Sequence, residues 1–98
     1  MGRRGRMSDI HHDVSAGRYS LSIEGLSAYL DYERRSDGAV HILHTQVPQA
    51  LGGRGLGKRL VARAAEDAIS KGLPISSSCW FATDLIQKNP DWAGALAQ

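Results

Sequence analysis

Pro48-Gln49-Ala50-Leu51-Gly52-Gly53-Arg54-Gly55-Leu56-Gly57-Lys58-Arg59-Leu60 is the stretch on which the fold turns, because the hydrophobic period changes across it. Upstream, apolar residues recur at every second position. Downstream, Leu56, Leu60, Ala64 and Ala68 share one stripe with Val61, Ala65 and Ile69 beside it, while Lys58, Arg59, Arg63, Glu66 and Asp67 turn away. A period of two marks a half-buried strand and a period near 3.6 an amphipathic helix, so the junction reads strand, glycine loop, helix. Gly72 suits the left-handed cap that ends this helix, and Pro74 prevents its continuation.

Toward the N-terminus, Tyr19, Leu21 and Ile23 alternate with Ser20 and Ser22. After a break at Gly25, Leu26, Ala28, Leu30 and Tyr32 alternate with Ser27, Tyr29, Asp31 and Glu33. Each run reads as a strand with one buried face. Ser36-Asp37-Gly38 tolerates positive φ, and Ala39 to Val47 returns as a third strand that Pro48 closes. Toward the C-terminus, Leu73 to Ser78 has room for one short strand. Phe81, Ala82, Leu85 and Ile86 then repeat at helical spacing, and Asn89-Pro90 ends that helix because the residue before proline avoids the α region. Residues 92–98 fit either a short helix or a loop. A strand that follows a helix after an earlier strand lies parallel to that strand through a right-handed crossover. The expected class is α+β: a mixed, mostly antiparallel sheet that opens on a three-strand meander, followed by helix, strand and helix.

Ninety-eight residues suffice for one core and not for two. With 42% hydrophobic and 22% charged residues, and no apolar run of bilayer length, a membrane protein is not expected. Cys79 is the only cysteine, which excludes an internal disulfide and a four-thiolate zinc site and points to a reducing, cytoplasmic setting. The net charge of +2 includes Arg3, Arg4 and Arg6; leaving those three out, nine of the twelve basic residues stand against ten acidic ones. A nucleic-acid-binding basic face is therefore not expected of the folded part. Residues 1–17 are expected as a flexible basic arm with no apolar stretch for a secretory signal, and His11 and His12 within it as inert. An arm that touches nucleic acid is the adaptor reading its charge leaves open. Residues 18–98 are expected as the single folded domain.

Glycine costs backbone entropy on folding, so Gly52, Gly53, Gly55 and Gly57 need a reason. Either they make a tight turn and nothing more, or they bring backbone N–H groups and a helix dipole close to a phosphate-bearing ligand. Arg54, Lys58 and Arg59 favour the ligand, because cations at a helix N-terminus oppose the dipole unless an anion is present. The phosphate loop G-x-x-x-x-G-K-[ST] fits from Gly52 to Lys58, but Arg59 replaces the hydroxyl that would bind magnesium. The dinucleotide fingerprint G-x-G-x-x-G misses its third glycine and would have to open a βαβ unit, so both nucleotide readings are set aside.

His44-Thr45-Gln46-Val47-Pro48, the glycine stretch, Cys79-Trp80 and Lys88-Asn89-Pro90, in this order, resemble the short single-domain branch of the Gcn5-related N-acetyltransferases over roughly Tyr19 to Trp92. The resemblance implies acetyl-coenzyme A (acetyl-CoA) as co-substrate, no metal, and an amine acceptor, either a small molecule or a protein lysine. The family's pyrophosphate pattern [QR]-x-x-G-x-[GA] maps its last positions onto Gly55, Leu56 and Gly57, while Gly52 stands where Gln or Arg is expected. By the same resemblance, Gly53, Arg54 and Lys58 complete the coenzyme loop, and backbone N–H groups near Gln46 and Val47 face the thioester and pantetheine where two strands splay apart.

Acetyl transfer needs a neutral amine, a proton acceptor and donors to the carbonyl oxygen. The short branch carries Glu at the position of Gln46, and larger relatives a tyrosine acid near Ile86; this chain has neither. His44 shares a strand face with Gln46, and an imidazole, with its ordinary pKa of about 6.5, suits a base; the alternative is a hydrogen-bonded surface histidine. His41 has the opposite parity, so the two histidines are not expected to share a metal. Cys79 precedes the last helix, whose dipole can lower a thiol pKa. It can accept the acetyl group, line the coenzyme site, or pack as a small hydrophobe. Trp80, Phe81 and Trp92, at helical or near-helical spacing, either flank the pantetheine or adenine or pack in the core, the commoner place for such aromatics. The leading expectation is an N-acyltransferase served by Cys79 and His44. The rival is a non-catalytic acyl-CoA-binding module, motivated by Gly52, Gln46 and Ile86. An exposed sheet edge in so short a domain would favour a homodimer.

Overall fold

The computed structural model describes residues 10–96. The alternating stretches become β1 (His11–Asp13), β2 (Arg18–Ile23), β3 (Leu26–Arg34) and β4 (Val40–Gln46), each antiparallel to the next. A 3₁₀ turn at Gln49–Leu51 and the glycine loop lead into α1 (Leu56–Ser70), and β5 (Ile75–Ser77) returns parallel to β4. Then come α2 (Trp80–Lys88) and α3 (Pro90–Ala93). The sheet order is β1-β2-β3-β4-β5, the mixed α+β arrangement that the pattern predicts.

Tyr19, Leu21, Ala28, Leu30 and Ile42 form the buried sheet face, on which Leu60, Val61, Ala64, Ala65 and Ala68 of α1 and Ala82 and Ile86 of α2 pack in one core. The opposite face, bearing Arg18, Ser20, Tyr29, Asp31 and Glu33, is far more open to solvent. Asn89 ends α2 and its side chain accepts the Asp91 N–H, so the same Asn-Pro pair that stops one helix starts the next. Ala95 accepts the Ile75 N–H (2.8 Å) and Leu96 bridges Ile75, which covers the outer edge of β5. The uncovered edge among the described residues is the three-residue β1.

Two expectations change. Within the arm assigned to residues 1–17, His11–Asp13 instead form β1, paired to Ser20, Tyr19 and Arg18. His12 is no inert bystander. Its ring stacks on Tyr19 (centroids 4.0 Å apart) and its Nε2 shares a 2.6 Å hydrogen bond with the Tyr32 hydroxyl, while Tyr19 donates to Asp67 Oδ2 of α1 (2.7 Å). One hydrogen bond and one ring stack thus tie β1 to the core through a segment too short to show a period. The arginines at 3, 4 and 6, and the adaptor reading built on them, lie outside the described residues.

The second change is a bulge. Asp31 pairs with His44 but Tyr32 pairs with Ile42, so Leu43 has no opposite residue and is 38% exposed. An unpaired residue reverses the alternation beyond it. His41, opposite Glu33, and His44, opposite Asp31, therefore share the open sheet face, against the parity expected from an unbroken strand. His41 is nonetheless engaged: Nδ1 meets the Ser76 hydroxyl at 2.7 Å and Nε2 the Ser78 hydroxyl at 2.6 Å. Among the described residues no helix is long and apolar enough to cross a membrane.

Candidate functional site

β4 and β5 pair only from Val40–Ile75 to Ile42–Ser77, with a last bond from the Ser78 N–H to the Ile42 carbonyl (2.9 Å). Beyond this the strands part. Ser77 holds the fork, its hydroxyl accepting the Cys79 N–H (3.0 Å) and donating to the Cys79 carbonyl (2.9 Å), which turns the chain into α2. A cleft of about 580 Å³ opens in the fork. Thr45, Gln46 and Val47 form one wall, Cys79, Trp80, Phe81 and Leu85 the other, and the loop from Leu51 to Lys58, apart from Arg54, its end.

The loop presents donors. Among the described residues, the backbone N–H groups from Gly53 to Lys58 make no hydrogen bond, the first inward one being from Arg59 N–H to the Gly55 carbonyl (3.1 Å). Gly55 is the N-cap at φ 74° with no side-chain cap, and the first turn of α1 holds no acidic residue. Gly53 at φ 84° and Gly55 are therefore glycines by backbone conformation, since a side chain in the left-handed region is strained. Gly57 has another reason: a Cβ there would stand 3.0 Å from Phe81 Cε2 and 3.5 Å from Val47 Cγ2, so its missing side chain lets α1 and α2 close together at the cleft floor. Lys58 lines the cleft. Arg54 does not; its Nη2 lies 3.8 Å from Glu24 Oε1 at the β2–β3 turn.

The cleft thus has an end with unpaired N–H groups and one cation, Lys58, and an apolar remainder made by Val47, Leu51, Phe81, Leu85 and Trp80. Trp80, for which core and cleft were both open, is 80% exposed and meets Phe81 edge-on (centroids 6.2 Å apart). Helical spacing cannot separate a core aromatic from one on a cleft rim, and the residue's place in the first turn of α2 was the only available signal. Cys79 Sγ is 4.0 Å from Thr45 Oγ1 across the fork. A ligand with phosphates at one end and a slender, partly apolar arm at the other fits this donor set.

His44 is outside the cleft lining and more than half exposed. On the open face its Nε2 meets Asp31 Oδ2 at 3.0 Å, and Asp31 in turn receives both Nε (2.6 Å) and Nη2 (2.9 Å) of Arg18. The guanidinium lies 3.9 Å over the Tyr29 ring, whose edge faces His44. The Arg18 hydrogen bonds hold the Asp31 carboxyl below the usual carboxylate range, with His44 adding to the effect. Ile86, where larger relatives carry an acid, is wholly buried in the core. Among the described residues no three His, Cys, Asp or Glu side chains gather as a metal site.

The mixed sheet, with its parallel pair forked beside a helix that starts at a glycine with no side-chain cap, is a fold shared with a GCN5-like protein of known structure. The chain belongs to the GCN5-related N-acetyltransferase family, which it matches over residues 18–95. It is similar to protein NATD1 of Xenopus tropicalis and of Mus musculus, each 30% identical over 83 residues, or 83% of this chain and 76% of the relative. It superposes on the solution structure of a GCN5-like protein from Staphylococcus aureus with a TM-score of 0.73 at 25% identity, covering 94% of this chain and 90% of that one. Membership makes acetyl transfer the class of reaction and implies acetyl-CoA as co-substrate.

Proposed function

We propose that the cleft binds acetyl-CoA with its pyrophosphate on the loop from Gly53 to Lys58 and its thioester in the fork between Gln46 and Cys79, and that a primary amine is acetylated there. The observation that carries this reading is the row of unpaired N–H groups at an uncapped helix start, opening into a cleft that ends at the fork. Acetyl-CoA supplies an activated acyl carbon. The chain supplies positioning, which accounts for a large share of the rate when two reactants are held in contact. N–H groups near Gln46 and Val47 stabilise negative charge gathering on the carbonyl oxygen. As the amine nitrogen bonds to the acyl carbon and the carbon–sulfur bond breaks, the ammonium proton passes to His44 on the open sheet face, and the released thiolate is protonated from water. Cys79 lines the thioester end of the cleft, where its thiol contacts the acyl group.

A calorimetric titration of the intact chain with acetyl-CoA, with ATP·Mg as parallel control, tests the reading. Binding of acetyl-CoA alone is expected, lost in Gly55→Glu and weakened in Lys58→Glu, whose exposed position leaves the fold undisturbed. No binding by the folded wild-type chain would refute it. Binding without acetylation of any amine would instead establish the non-catalytic module, the reading favoured by the buried Ile86 and the amide at Gln46.

A further inference from the structure

The cluster on the open sheet face does more than solvate it. Arg18, Tyr29, Asp31 and His44 come from three adjacent strands and each touches at least two of the others. The Leu43 bulge puts His44 opposite Asp31, and Arg18 is itself paired with Asp31 across β2 and β3. A carboxylate gripped by two guanidinium bonds has its orientation set, since a bidentate pair fixes plane as well as distance. The remaining contact, Asp31 Oδ2 to His44 Nε2 at 3.0 Å, then selects a tautomer. An ionised carboxylate only accepts, so Nε2 carries the proton and Nδ1 is left with the lone pair.

We infer that Asp31, clamped by Arg18, is a positioning residue that holds His44 as the Nε2–H tautomer, making Nδ1 the atom that takes the proton of the acceptor amine. The inference rests on the proposed acetyltransferase reading and extends it to two residues outside the cleft. The proton balance is simple. Nδ1 gains the proton that the amine nitrogen loses on bonding to the acyl carbon, and the resulting imidazolium keeps its Nε2–H on the Asp31 carboxylate until Nδ1 returns the proton to water. It also places the amine on the helix-free face, with the coenzyme entering from the side of α1.

Among the described residues, the charged and titratable groups in contact with His44 are Asp31 and Tyr29 of β3 and, through Asp31, Arg18 of β2. The test combines two readouts on the intact chain carrying Asp31→Asn, with Arg18→Gln in parallel. Long-range ¹H–¹⁵N correlation of the imidazole, at a pH where it is neutral, is expected to show mainly Nε2–H in the wild type and a shift toward Nδ1–H in Asp31→Asn. Thiol release from acetyl-CoA with n-butylamine as acceptor is expected to fall in kcat by about tenfold or more, with KM for acetyl-CoA unchanged because neither residue lines the cleft. Arg18→Gln gives a smaller change of the same kind. An unshifted tautomer, or a shifted tautomer with kcat intact, overturns the inference and leaves coenzyme binding untouched. Loss of acetyl-CoA binding by the wild type refutes the underlying reading instead.

Discussion

Gly57→Ala isolates what the glycine loop does for packing as distinct from ligand binding. The added methyl stands 3.0 Å from Phe81 Cε2, 3.2 Å from Cζ and 3.5 Å from Val47 Cγ2. Comfortable carbon–carbon contact begins at about 3.5 Å, so the ring has to retreat by roughly half an ångström. Overpacking of this kind costs about 1–3 kcal/mol. Against it stands the intrinsic gain of alanine over glycine in a helix, at most about 1 kcal/mol. The clash wins, and a net loss of about 1 kcal/mol is expected in urea unfolding followed by circular dichroism. Because Phe81 also walls the cleft, acetyl-CoA affinity falls as well. Phe81→Leu removes the two offending ring atoms, and in that background Gly57→Ala is expected to stabilise by about 0.5 kcal/mol, its helix propensity now unopposed. The sign reversal is the decisive quantity. If Gly57→Ala has the same effect in both backgrounds within about 0.3 kcal/mol, the two residues do not couple and the packing role of Gly57 is wrong.

Three further outcomes can be checked. Gly52 sits at φ −64° and ψ 151°, open to any residue, with a Cβ contact of 3.2 Å to the Gln49 carbonyl. Gly52→Arg, which restores the family's basic position, should tighten acetyl-CoA binding by up to about 1 kcal/mol, roughly fivefold, in calorimetry at low salt, the gain shrinking as salt is raised. Trp80→Ala should leave urea stability within about 0.5 kcal/mol, because the ring is 80% exposed, yet weaken acetyl-CoA binding by about 1 kcal/mol through the lost cleft wall. Burial lowers the His12 pKa below its ordinary value. Between the folded and unfolded values the unfolded chain binds more protons, so His12 lowers stability as pH falls through about 6.5 and flattens once the folded value is passed. His12→Phe, which keeps the stack on Tyr19, should remove that slope from the urea midpoint measured between about pH 8 and pH 5.

The glycine stretch and its flanks were readable because local chemistry decides them. The period change at Gly55, the cap at Gly72 (φ 70°) and the dual role of Asn89-Pro90 depend on residues within a turn of each other. Eight of the ten residues expected at the site from sequence, namely Gln46, Val47, Gly53, Gly55, Leu56, Gly57, Lys58 and Cys79, line one cleft. Arg54 and His44 stand beside it. Trp80 stayed open between core and cleft because an aromatic residue at helical spacing carries no mark of which side of a helix meets a fork.

By itself the sequence determined the strand and helix periods, the turns between them and the parallel return of β5, and with these the α+β class and the position of the loop. These follow from backbone sterics and from burial on one face, which operate along the chain. Tertiary structure alone decided the rest. The Leu43 bulge, which sets His44 against Asp31, exists only through pairing with β3, whose residues lie about a dozen positions away. The need for glycine at 57 exists only because Phe81, on another helix, approaches to contact. The place of His12 depends on two tyrosines contributed by two other strands. Contacts between segments distant in the chain arise from how whole elements pack, and no window of sequence contains them.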